Sequence, residues 1–101
     1  MVDKTSDWHG TVFELVGSDP KLLKPQPGIY LVWANQKLLD IGEAGDVQGR
    51  VSNHDRRDCW ERNATGAIMY GAHYMPGASE QERRDLEANL RAMDDFQCGE
   101  R

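Results

Sequence analysis

Tyr30, Arg50, His54 and Glu87 are the side chains of this 101-residue sequence whose types and spacing suit acid–base and electrostatic work on a phosphate ester. Arg50 and His54 are one helical turn apart, so a helix through both would present guanidinium and imidazole on one face. An arginine neutralises charge growing on a phosphate, and a tyrosine or histidine takes a proton from water. A carboxylate holds a divalent metal that steadies the leaving oxygen. Together these are the parts of a metal-assisted phosphodiester hydrolase. The same letters also have a plainer explanation: a buried tyrosine, a surface arginine, and Glu87 paired with Arg83, Arg84 or Arg91 along its own helix.

The elements that must position these groups read as follows. Gly28 to Ala34 is β-branched and aromatic, with Ile29, Leu31 and Trp33 on one face and Tyr30 and Val32 on the other. Asn35-Gln36 turns the chain, and Lys37 to Gly42 returns with Leu39 and Ile41 on one face and Leu38 and Asp40 on the opposite one. In this antiparallel hairpin Tyr30 and Asp40 share a face. Asp46 reads as the N-cap of a helix of about ten residues, weakened by Gly49, with Val47, Val51 and His54 on one side. The segment Asp58 to Gly66 is a short helical or looped link anchored by Trp60, and Ala67 to Met75 is a third strand in which His73 is a surface or sheet-edge residue. Ser79 and Glu82 form a capping box for a last helix with Leu86, Leu90 and Met93 in an apolar stripe.

Before Gly28, Thr11 to Val16 alternates weakly, as a strand or a short helical turn. The stretch after it carries three of the four prolines and stays irregular. Residues 1–27 thus form a lead-in segment packed on a domain of residues 28–101, and Trp8 and His9 receive no role. The expected fold class is α+β: a small central three-stranded antiparallel sheet flanked by helices in the order β-β-α-β-α, with room for one extra N-terminal strand.

A composition of 39% hydrophobic and 29% charged residues excludes a disordered chain, and the length allows one core. No apolar run is long enough to span a bilayer, and the opening MVDKTSDW lacks the layout of a signal peptide, so a cytoplasmic location with no membrane partner is expected. Cys59 and Cys98 are expected as free thiols. With His54 and His73 they match no paired zinc-ligand spacing. A net charge of −5 opposes nonspecific attraction to nucleic acid, so a polyanion site must be local. Arg50, Arg56, Arg57 and Arg62 are the candidate cluster, interleaved with Asp55, Asp58 and Glu61.

From Gly28 to Gly99 the chain resembles the GIY-YIG nuclease superfamily. Gly28-Ile29-Tyr30 matches the first signature, and Asp40-Ile41-Gly42 stands where the second, Tyr-Ile-Gly, belongs. Arg50 and His54 fall at the positions of the catalytic arginine and of a histidine that several members use; Glu87 matches the metal-binding glutamate. The segment NHDRRDCW is similar to that of small, stand-alone GIY-YIG domain proteins. The resemblance implies cleavage of a DNA phosphodiester with one divalent metal, Mg²⁺ or Mn²⁺, and no small-molecule cofactor. Tyr30 would act as general base or orient water, Arg50 would stabilise the transition state, His54 would assist proton movement or phosphate binding, and Glu87 would hold the metal.

Three positions depart from the pattern. Asp40 replaces the second signature's tyrosine, Glu43 follows Gly42 where a basic or polar residue is often found, and the sequence around Gln97-Cys98 replaces an asparagine often found near the domain's end. At about 5 Å and an effective dielectric near 20, each of the two carboxylates would repel a docked phosphate by roughly 3 kcal/mol before screening, unless a metal beside Asp40 reversed the sign. Two functions are therefore expected from this sequence: a metal-dependent DNA endonuclease, or a nuclease-derived module that binds nucleic acid or protein without cutting.

Overall fold

A computed structural model describes residues 4–99. Five strands, β1 (Thr5–Trp8), β2 (Thr11–Gly17), β3 (Gly28–Ala34), β4 (Lys37–Ala44) and β5 (Met69–Tyr74), form one sheet in the order β1-β2-β5-β3-β4. Every neighbouring pair is antiparallel. The α+β class and the three strands after residue 27 are as expected, and the N-terminal region adds two strands where one was allowed for. They form because His9 and Gly10 both take positive φ, 53° and 85°, the two-residue turn whose twist matches a hairpin. Trp8 is no loose end: its ring stacks edge-on against Phe13 and Phe96, while His9 bonds Asp94 at 2.9 Å. β5 lies inside the sheet, so His73 is not on an edge strand; its Nδ1 lies 3.0 Å from the Val12 carbonyl.

The two faces of the sheet carry separate cores. On one, Tyr30, Val32, Leu39, Tyr70 and Ala72 pack with Val47, Val51 and Trp60. On the other, Phe13, Ile29, Leu31 and Ile41 pack with Leu90. Leu39 departs from the expected alternation because the β3–β4 register slips: Val32 pairs with Asp40 but Trp33 with Leu38, leaving Leu39 as an extra residue. The bulge brings Leu39 into the core around Tyr30, opposite Ile41. Asp40 keeps its place across from Val32 and so shares the Tyr30 face.

Helices α1 (Val47–Ser52) and α2 (Arg57–Asn63) cover the Tyr30 face, and α3 (Glu80–Arg91) covers the other. Asp46 caps α1 by accepting from the Gly49 amide, yet the helix ends after six residues. His54 therefore lies in the link between helices. There it serves the start of α2, its carbonyl accepting from the Arg57 amide and its Nδ1 from the Arg56 amide. The capping box of α3 forms in full, and Leu86 and Leu90 pack as expected. Met93 falls beyond the end of the helix and is 53% exposed, which corrects its place in the stripe.

The thiol expectation is overturned, because Cys59 and Cys98 form a disulfide. The cause is a long-range pairing: the amides of Gln97 and Cys98 donate to the carbonyls of Leu38 and Leu39, laying the tail along the free edge of β4 and against α2. The bridge removes free thiols as an argument for a reducing compartment. Among the described residues no helix is long and apolar enough to cross a membrane.

Candidate active site

The signature glycines are required by close approach. Tyr30 stands directly across from Gly42, and a Cβ on Gly42 would run into the hydroxyl and ring of Tyr30. A Cβ on Gly28 would strike the His73 carbonyl of the neighbouring strand. Only glycine lets the tyrosine ring lie over β4 and lets β3 close on β5 at these points. This gives the spacing of the two signatures a physical meaning: the second glycine is the floor on which the first signature's tyrosine rests.

Tyr30 and His54 form a buried pair, with Tyr30 Oη 2.5 Å from His54 Nε2. Burial, reinforced by the positive charges of Arg50 and Arg56, pushes the His54 pKa down to about 4, so the ring is neutral near pH 7. Its tautomer follows from its other nitrogen. Nδ1 accepts the Arg56 amide at 3.0 Å, which leaves the proton on Nε2 to be donated to Tyr30. Asp55 Oδ1 also lies 3.2 Å from Nδ1, but gains no hydrogen bond while the ring is neutral. The Tyr30 oxygen thus accepts from His54 and, at 3.4 Å, from Arg56 Nη2, and its own hydrogen is free for a further acceptor. Burial and then the charge of Asp40 push the tyrosine up to about 12, with Arg56 and Arg50 opposing and Glu87 adding to the rise.

Asp40 is completely buried and fully engaged. Arg56 grips it through Nε at 2.7 Å and Nη2 at 3.2 Å, Arg91 Nη2 reaches it at 3.0 Å, Trp60 Nε1 donates at 2.9 Å, and the Ile41 amide donates at 2.8 Å. Arg91 also donates to the carbonyls of Ile41 and Cys98. Asp40 is therefore not a bare negative charge beside a docking phosphate. The same holds for Glu43, whose carboxylate takes Arg83 Nε at 3.0 Å. The expected repulsion is met at both positions by arginines from elsewhere in the chain.

The remaining candidates lie around this centre. Arg50 pairs with the exposed Asp55 at 3.3 Å, and its charge is felt by both Tyr30 and His54. Glu87 accepts from Arg91 Nε at 3.3 Å, so the plainer pairing exists, yet it also lies near enough to Tyr30 to raise its pKa. The run Glu87–Arg91–Asp40–Arg56–Tyr30–His54 is one continuous set of polar contacts. Sequence reasoning named Arg91 only as a helix-surface partner of Glu87 and Trp60 only as a core anchor, and counted Arg56 only within a basic cluster. The signal was Asp40 itself: a carboxylate flanked by Leu38, Leu39 and Ile41 in a strand has to find cations and donors.

Among the described residues no three acidic, histidine or cysteine side chains gather into a metal cage. Glu87 offers a single carboxylate, 26% exposed, whose Oε1 has no hydrogen-bond partner among the described residues. Mg²⁺ retains several waters and is commonly held by one or two carboxylates, so this donor suits a hydrated ion.

The sheet order, the two close-approach glycines and the tyrosine lying over the second of them define a GIY-YIG fold. Among solved structures, three point mutants of the GIY-YIG N-terminal endonuclease domain of UvrC from Thermotoga maritima, each bound to its catalytic divalent cation, share it. They match with a TM-score of 0.59 and 18% to 20% identity, covering 81% of this chain and 91% of theirs. No family model and no curated protein matches the sequence.

Proposed function

We propose that this protein is a divalent-metal-dependent endonuclease that hydrolyses DNA phosphodiester bonds. The observation that carries the reading is the buried Tyr30–His54 pair with Arg50, Arg56 and Glu87 placed around it. The fold shared with cation-bound endonuclease domains supports it. Tyr30, protonated near neutral pH and already accepting from His54 and Arg56, turns its hydrogen to water or to a phosphate oxygen and so orients the attacking water. His54 holds the phenol in place and supplies a donor. Arg50 leaves its exposed partner Asp55 for the phosphate and balances charge developing there. A hydrated cation on Glu87 would supply positive charge at the leaving oxygen.

The test is nicking of plasmid, branched and single-stranded DNA by the purified protein in Mg²⁺ and in Mn²⁺. Cleavage is expected, and Arg50→Ala and Tyr30→Phe should abolish it with circular dichroism unchanged. Absence of cleavage on every substrate in both metals overturns the reading. A module that binds without cutting is the second reading, motivated by the missing second-signature tyrosine. Asp40→Tyr would not separate the two cleanly, since it puts a large ring at a fully buried position and strips two arginines of their shared partner.

A further inference from the structure

We infer that Arg56, presented by Asp40 from the place of the second signature's tyrosine, is a second phosphate-contacting cation of this site; the inference rests on the phosphodiester reading above. The geometry is that of a braced arm. Asp40 holds Nε and Nη2 from within the protein, and Nη2 touches the Tyr30 oxygen at 3.4 Å. The carboxylate is wholly enclosed, whereas the arginine side chain is 30% exposed, so the buried anion points a partly open cation at the tyrosine. Nη1 has no hydrogen-bond partner among the described residues. A guanidinium gripped on one edge keeps donors for a phosphate on its other, with little side-chain freedom left to lose.

Charge balance separates this role from simple neutralisation. Asp40 already has Arg91, with a side chain only 6% exposed, as a buried counter-ion. Arg91 is shared with Glu87, and a cation bound at Glu87 would leave Arg91 to Asp40 alone. Arg56 then carries positive charge beyond what the buried carboxylate requires, next to the group that orients water. The departure at position 40 thus exchanges a phenol for a cation: the acid is buried, and what it delivers to the site is an arginine.

The experiment compares wild type, Arg56→Gln and Arg56→Lys as full chains. One arm measures nicking of supercoiled plasmid in Mn²⁺. The other measures binding of a short DNA duplex in Ca²⁺ over a range of salt, with thermal melting of each variant alongside. Arg56→Gln should lower kcat by about 10²-fold to 10³-fold and reduce the steepness of the salt dependence by about one phosphate contact. Arg56→Lys should restore the charge count in the salt slope but not the rate, because an ammonium cannot grip Asp40 and phosphate together. A purely structural Arg56 would shift the melting temperature and leave the salt slope alone, and that result overturns the inference. Wild-type cleavage with Arg56→Gln equal to it in rate and slope also overturns it, with the nuclease reading intact. Binding without cleavage, but with an Arg56-dependent slope, upholds the phosphate contact and overturns the nuclease. A wild-type chain that neither binds nor cuts DNA overturns both.

Discussion

Asp40 and Glu43 lie three positions apart on β4, the first at the place of the second signature's tyrosine and the second directly after its glycine. The fold answers each with arginine, but at different depths. Asp40 is sealed in the interior by Arg56, Arg91, Trp60 and a backbone amide, and the first of these touches Tyr30. Glu43 stays 17% exposed and pairs with Arg83, a link between β4 and α3 that bypasses the Tyr30–His54 pair. One departure has been built into the polar centre, and the other has been paired off at its margin. Charge at an unfamiliar position is thus a poor guide to lost function until its partners are known.

The comparison breaks most sharply at Asp40→Ala. The change leaves Arg91, with a side chain only 6% exposed, beside carbonyls and Glu87 alone. Removing one partner of a buried ion pair costs about 3–5 kcal/mol. A domain of this size has roughly 5–15 kcal/mol in total, so the variant should be close to unfolding. Urea denaturation measures this directly, and a loss below about 1 kcal/mol would mean that Asp40 behaves like a surface pair.

The next effect lies at His54, where the same charges meet. The unfolded imidazole protonates near 6.5 and the folded one only near 4, since burial and the neighbouring arginines favour the neutral ring. Over that interval the unfolded chain binds more protons, so the contribution is present in full above 6.5 and is lost as pH falls toward 4. The stability of wild type should therefore drop more steeply than that of His54→Asn between these values. Parallel curves would show that the ring titrates as it does in the unfolded chain.

What was legible in the sequence was local. Strand alternation in β3, the Ser79–Glu82 box, the Asp46 cap and the Gly42 approach to Tyr30 each depend on residues within a few positions or on one hairpin. What was not legible depends on distant pairings. Arg91 reaches Asp40 across 51 residues, and the disulfide spans 39. The bulge at Leu39 reverses an alternation that letters alone present as regular. The candidate site divides in the same way. Tyr30, Arg50, His54 and Glu87 were proposed from their types, their spacing and the family resemblance, while Arg56 was assigned only once its brace was visible, because nothing in the run of charges from Asp55 to Arg62 sets it apart.

The smallest expected effect sharpens the contrast. Glu43→Gln keeps the size of the side chain and removes the charge of a partly exposed pair, for which about 1 kcal/mol is the usual upper range. Arg83 keeps an acceptor in the Ala78 carbonyl at 3.2 Å, and its side chain is 12% exposed against 6% for Arg91. Stability should therefore change by less than about 1 kcal/mol. DNA affinity should rise slightly and more at low salt, since one negative charge leaves the approach to the site. A loss as large as that of Asp40→Ala would place Glu43 inside the same buried network and erase the distinction between the two carboxylates.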